Sequence, residues 1–181
     1  MIHRFEIALA DVDRAVYRDL DLRVARHPSE DVQYLLTRVL AFALECGADS
    51  GDGLEFSKGL CDGEQPALWQ KDPQGRLLAW IEVGSPLPER LHRASKACDR
   101  VVVYCHRRPD LLLQRCARER VHRAHAIRVV HVPTALLDAL ADRLDRSNRW
   151  DLSVHEGRAT VVVGGDAFEG AFPGGPLGPA P

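Results

Sequence analysis

The sequence predicts an α/β protein with a mixed central sheet flanked by helices and with antiparallel strands at its N-terminal and C-terminal ends. Three observations carry that expectation. Apolar residues alternate two by two near both ends of the 181-residue chain, the signature of half-buried strands. A turn motif in the middle, Asp72-Pro73-Gln74-Gly75, sits between two strand-like runs and announces a β-hairpin. From Arg100 onward the pattern becomes strand, helix, strand, helix, which implies parallel pairing through right-handed crossovers.

His3 to Ala10 alternates with Phe5, Ile7 and Leu9 on one face, and Leu20 to Ala25 repeats the pattern through Leu20, Leu22 and Val24. The two runs are expected to pair antiparallel. Ser29 is read as the cap of a long helix, with Glu30 and Asp31 in its first turn, where the helix dipole favours acids. The stripe Val32, Leu35, Leu36, Val39, Leu40, Ala43 and Leu44 has helical spacing, and Gly47 with the Asp/Ser/Gly run to residue 53 ends it. A short strand near Leu54 to Phe56 leads to the hairpin over residues 64–84. Ser85 is expected to cap, and Pro86 to start, a helix running to about Cys98. Arg100 to Cys105 and Ile127 to Val132 are solid apolar runs, as befits strands covered on both faces. Helices are expected from Pro109 to about His122 and from the cap Thr134 to about Arg146. Trp150 to Val154 and Ala159 to Val163 form a terminal hairpin, so residues 1–163 make a single domain, and the Gly/Pro-rich residues 164–181 read as a disordered tail.

The hairpin carries the chemistry. With Asp72 facing Gly75, Trp69 would oppose Leu78, Ala67 would oppose Trp80, and Gln65 would oppose Glu82. A carboxylate at position 67 would then lie diagonal to Glu82, about 7–8 Å away between α-carbons. Two such side chains can hold one Mg²⁺ through oxygens at about 2.0–2.1 Å.

Pro66-Ala67 followed by Glu82-Val83-Gly84 resembles the PD-(D/E)XK nuclease pattern, with Ala67 in the aspartate slot and Gly84 in the lysine slot. A wider set of blocks points the same way: ARHPSE (residues 25–30), LAFALE (40–45), GLEFSKGL (53–60), PALWQKD (66–72), WIEVGSP (80–86) and RVVVYC (100–105). In that order, over about residues 2–163, they are similar to the YaeQ family of small bacterial proteins. The resemblance implies a compact restriction-endonuclease-like fold. Position by position, Glu82 matches the family's strand glutamate and Gly84 a family glycine. Glu30 matches the acid opening the first long helix, and Glu55 and Lys58 fall in the Leu-Glu-Phe block. Family members commonly carry Pro-Asp where this chain has Pro66-Ala67.

Two readings of function follow. In the first, the chain is a catalytically degenerate PD-(D/E)XK-like protein that binds nucleic acid or a protein partner; Ala67 and Gly84 favour it. In the alternative it is a Mg²⁺-dependent nuclease or phosphodiesterase. There Glu82, Glu55 and Lys58 would be catalytic, Glu82, Glu64 and Gln65 would hold the metal, and Gln65 would lend an amide oxygen. Arg93, Lys96, Arg115 and Arg118 are the candidate phosphate contacts, because charge is unevenly distributed. Residues 1–89 carry 9 basic and 16 acidic side chains, and residues 90–149 carry 14 and 6. Trp69 and Trp80 are read as core residues, and His122 and His125 lack an acidic or cysteine partner for a metal. No apolar stretch approaches the length of a membrane span. The five cysteines form no C-x-x-C pair, so reduced thiols and a cytoplasmic protein are expected.

Overall fold

The computed structural model describes residues 1–47, 53–58 and 64–179. Eleven strands and four α-helices follow one another among them. They are β1 (Ile2–Asp11), β2 (Val16–Ala25), α1 (Val32–Glu45), β3 (Leu54–Phe56), β4 (Leu68–Lys71), β5 (Leu77–Val83), α2 (Pro88–Ala97) and β6 (Arg100–Cys105). After these come α3 (Pro109–Glu119), β7 (Ile127–His131), α4 (Thr134–Ala141), β8 (Ser147–His155), β9 (Arg158–Val163), β10 (Asp166–Ala171) and β11 (Gly174–Pro176).

The strands form two mixed sheets where a single one was expected. The first has the order β10-β9-β8-β1-β2, and the second β11-β7-β6-β5-β4-β3. β1 and β2 pair antiparallel as anticipated, with Phe5 facing Leu22. β1 also pairs parallel to β8, with Ile7 beside Trp150, and that pairing draws the C-terminal strands into a sheet of their own. In the second sheet β5, β6 and β7 run parallel, as the strand–helix rhythm requires.

Helices α1 and α4 lie between the sheets. Their Leu36, Leu40, Leu137 and Leu140 share one core with Phe5, Ile7 and Trp150 of the first sheet and with Ile81 and Val102 of the second. Each leucine fully buried in this way contributes about 1.5–3 kcal/mol. On the outer face of the second sheet, Leu91 of α2 and Leu112 and Cys116 of α3 close a smaller core over Val101, Val103 and Ile127.

Several boundaries move. α1 is capped by Asp31, whose carboxylate accepts from the Tyr34 amide at 2.6 Å. Ser29 instead bonds the ring of His27 at 2.6 Å. β2 begins at Val16, four residues before the alternation becomes visible. α2 starts at Pro88 with Leu87 before it; α3 stops at Glu119 and α4 at Ala141, and β8 takes up Ser147–Trp150.

The tail expected to be disordered is ordered to residue 179. Gly164 and Gly165, with φ of +60° and +92°, make the two-residue turn between β9 and β10 that needs positive φ at both positions. β11 then pairs with β7, and Leu177 is buried in the smaller core. Composition marks glycine and proline as disorder-prone, but here the glycines are the turn.

Asp31→Ala should cost about 1 kcal/mol in urea unfolding, the usual loss for a carboxylate cap, whereas Ser29→Ala should change stability by less than about 0.5 kcal/mol.

Candidate functional site

The β4–β5 register differs from the expected one by two residues. Trp69 faces Trp80 and Leu68 faces Ile81; one residue of the shift arises at the bulge at Gln70/Lys71 and one at the turn, where the Asp72 amide donates to the Arg76 carbonyl at 3.0 Å. Because the shift is even, the faces are unchanged. Continuing the ladder one step would set position 67, rather than Gln65, beside Glu82. The ladder ends at Leu68, however, and Ala67 is buried in the core between the sheets, on the face opposite to Trp80.

Glu82 points away from α1, toward α2, and is only 4% exposed. One carboxylate oxygen accepts from the Trp80 indole N–H at 2.7 Å and from Arg90 Nε at 2.6 Å. The same guanidinium donates to the Gln65 carbonyl. Arg90 reaches Glu82 because Leu87 and Pro88 start α2 immediately after β5, which places the helix's first turn over the strand end. Burial pushes the Glu82 carboxyl above its ordinary value, and Arg90 and the Trp80 bond pull it back only in part.

Gly84 follows with φ of +91°, and the Tyr34 ring lies 3.6 Å from where a Cβ would stand. A lysine here would meet a left-handed backbone. Burial, joined by the carboxylates of Glu82 and Glu30, pushes the Tyr34 hydroxyl up to about 12. On the other side of Tyr34, Glu30 and Arg38 form a buried ion pair at 2.9 Å. Glu30 also accepts from the His27 amide at 3.0 Å. This pair forms the floor of an open cleft of ≈ 600 Å³ whose rim carries Arg23, Arg26, His27 and Lys58.

The residues singled out from sequence are dispersed. Glu55 lies across β4 from Trp80, in the row Glu55–Trp69–Trp80, two strand spacings or about 10 Å from that residue, and Glu82 stands two residues further along β5. Lys58 lines the cleft beside α1, whereas Glu82 points to the α2 side. Glu64 is exposed and pairs with Arg93 at 2.5 Å, and Gln65 accepts from the Lys58 amide at 3.4 Å. Among the described residues, no three His, Cys, Asp or Glu side chains converge as a metal site. Lys96 and Arg118 are exposed and Arg115 half-buried on α2 and α3, away from the cleft of Arg23 and Arg26.

The family model of the YaeQ protein matches residues 1–171. The chain belongs to the YaeQ family. The crystal structure of YaeQ protein from Pseudomonas syringae is 30% identical and superposes with a TM-score of 0.88 over 98% of both chains. YaeQ protein from Xanthomonas axonopodis pv. citri is 29% identical with a TM-score of 0.83, over 97% of this chain and 96% of that one. "Uncharacterized protein YaeQ" of Escherichia coli K12 is 30% identical over 105 residues, 58% of this chain and 56% of the relative. The matched stretch thus spans little more than half of that curated relative. These likenesses assign family and fold, a mixed α/β architecture of two sheets, and leave activity to the site itself.

Sequence reasoning missed Arg90, Tyr34 and the Glu30–Arg38 pair. A signal existed for the last. Over Val32–Glu45 only Arg38 and Glu45 are charged, too few for a helix with a solvated face.

Removing Arg90 leaves Glu82 a buried, unpaired carboxylate, so Arg90→Ala should lose about 3–5 kcal/mol at neutral pH. The loss should shrink on acidification. An acid whose folded pKa is raised binds more protons folded than unfolded, so stability falls as pH rises from the unfolded value toward the folded one. This contribution should be larger in Arg90→Ala than in the native chain and absent from Glu82→Leu/Arg90→Leu, as read by differences in urea midpoints across pH.

Proposed function

We propose that this YaeQ-family protein is a restriction-endonuclease-like fold that binds nucleic acid without cutting it. The observation that carries the proposal is the state of Glu82. The acid at the end of β5, where a PD-(D/E)XK site would present a metal ligand, is buried and bonded to Arg90 and Trp80. Position 67, its would-be partner, is an alanine packed in the core. The element order α1-β3-β4-β5-α2-β6 supports the superfamily reading, since it brings positions 67 and 82 to one end of adjacent strands.

The cleft above Glu30 and Arg38 supports the binding half. Its rim presents Arg23, Arg26, His27 and Lys58, while its acid, Glu30, is already committed to Arg38. Such a rim attracts phosphates, and the cleft is open enough to admit an extended backbone. This moves the expected phosphate contacts from Arg93, Lys96, Arg115 and Arg118 to the opposite side of the second sheet.

Fluorescence anisotropy with labelled single-stranded and duplex DNA and RNA tests both halves. Binding should weaken steeply with salt, and Arg26→Ala/Lys58→Ala should lower the slope of log K against log salt by about 2. Incubation with Mg²⁺ or Mn²⁺ should leave each substrate intact. Metal-dependent cleavage abolished by Glu82→Gln would establish the nuclease reading instead, and absence of binding to all four probes would remove the proposal.

A further inference from the structure

A second cavity opens at the far end of α1, away from the phosphate cleft. It holds ≈ 300 Å³ between the two sheets, at the lower end of the range for small-ligand sites. One wall is apolar, made by Leu44, Val130, Val154, Ala159 and Phe172. The other is polar and unusually complete. Glu45, buried at the end of α1, accepts from the Tyr104 hydroxyl at 2.7 Å and from Arg100. Asp11 is taken by Arg14, through its amide at 3.0 Å and its Nε at 2.6 Å. Asp13 accepts the amides of Glu156 and Gly157, each at 2.8 Å.

Every carboxylate around the cavity is therefore committed to donors of the protein. The donors are not exhausted. A guanidinium has five N–H groups; Arg14 and Arg100 use only some of theirs, and Arg128 has no acceptor among the described residues. Arg100 and Arg128 sit on neighbouring strands with their side chains on the α1 face, since Val102 and Arg128 are direct partners. The fields of Arg14 and Arg128 both reach the Tyr104 hydroxyl, so the cations surround one space. Arg14, Arg100 and Arg128 balance Asp11, Asp13 and Glu45 in number. A singly charged ligand fits that balance better than a dianion.

We propose that this cavity binds a small monocarboxylate with an apolar body, its carboxylate held by Arg128 and Arg100 and its body against Leu44, Val130 and Phe172. A polar network buried at a cavity wall contributes little net stability over an apolar replacement, so stability alone does not call for it.

The test is calorimetric titration of the full chain with benzoate and hexanoate, with benzamide, hexanamide and inorganic phosphate as comparisons, and ¹H–¹⁵N NMR to locate the perturbed amides. The carboxylates should bind and shift Val130, Gly157 and Ala159, and the matched amides should not. Arg128→Ala, at an exposed position, should keep the thermal midpoint and weaken benzoate by about tenfold, as expected for loss of one charge-assisted bond. Ala159→Leu should fill the apolar end and abolish binding. Equal binding of acid and amide, tighter binding of phosphate, no carboxylate binding at millimolar concentration, or an unchanged Arg128→Ala variant would each overturn the proposal. None of these outcomes bears on nucleic-acid binding at the other end of α1.

Discussion

Helix α1 is enclosed by one sheet on each side, and most of the remaining architecture answers to that enclosure. Thr37, Arg38 and Glu45 are buried along with the leucines, so their polar groups depend on partners inside the protein, and of these Arg38 Nε is left without one among the described residues. Thr37 donates to the Gln33 carbonyl at 2.7 Å. Arg38 takes Glu30 from the segment leading into the helix, and Glu45 takes Arg100 and Tyr104 from β6. The helix is thereby tied at one end to the segment that follows β2 and at the other to the middle of the second sheet. The cleft above Glu30 and Arg38 and the cavity beside Glu45 open at these two anchor points, because charged side chains there cannot pack as tightly as the leucines between them.

The same logic disposes of the chain's uneven charge. Part of the basic stretch 90–149 is matched by the acidic half of the chain. Arg90, Arg93, Arg100, Arg107 and Arg149 reach back to Glu82, Glu64, Glu45, Asp31 and Glu6 of the acidic half. The exposed members of this set contribute little energy. The buried ones, Arg90 with Glu82 and Arg100 with Glu45, fix how α2 and β6 sit against their neighbours. A run of like charge in sequence is thus a poor guide to surface potential when its counter-charges lie elsewhere in the chain.

Strands and helices were legible where local chemistry specifies them. Alternation at Phe5, Ile7 and Leu9, the apolar run of β6 and the Asp72–Gly75 turn each correspond to an element at its expected place. What failed depended on long-range pairing. The union of β1 with β8 divides the strands into two sheets, and no local pattern encodes it. The bulge at Gln70/Lys71 and the closing of the turn at Asp72/Arg76 together displaced the register by two residues, so the face of Glu82 was readable and its neighbour was not. Of the site, Glu82 and the altered position 67 were visible as motif slots. The guanidinium that bonds Glu82 lies eight residues on, in the next helix, and only the tight β5–α2 connection makes it a neighbour.

That guanidinium bears on why an alanine at position 67 is compatible with a folded site. Under the proposed function, an ancestral arrangement of two facing carboxylates would carry two negative charges at the ends of β4 and β5 and would be matched by a divalent cation. With Ala67 in place only Glu82 remains, buried, and a divalent ion there would leave an uncompensated positive charge in a poorly solvated space. Arg90 supplies one positive charge, matches one carboxylate, and directs a further N–H to the Gln65 carbonyl. Restoring an acid at 67 alone would therefore place a second carboxylate in packed core with no cation matched to it. Under the proposed function, conversion to a metal site therefore requires Arg90 to leave as well.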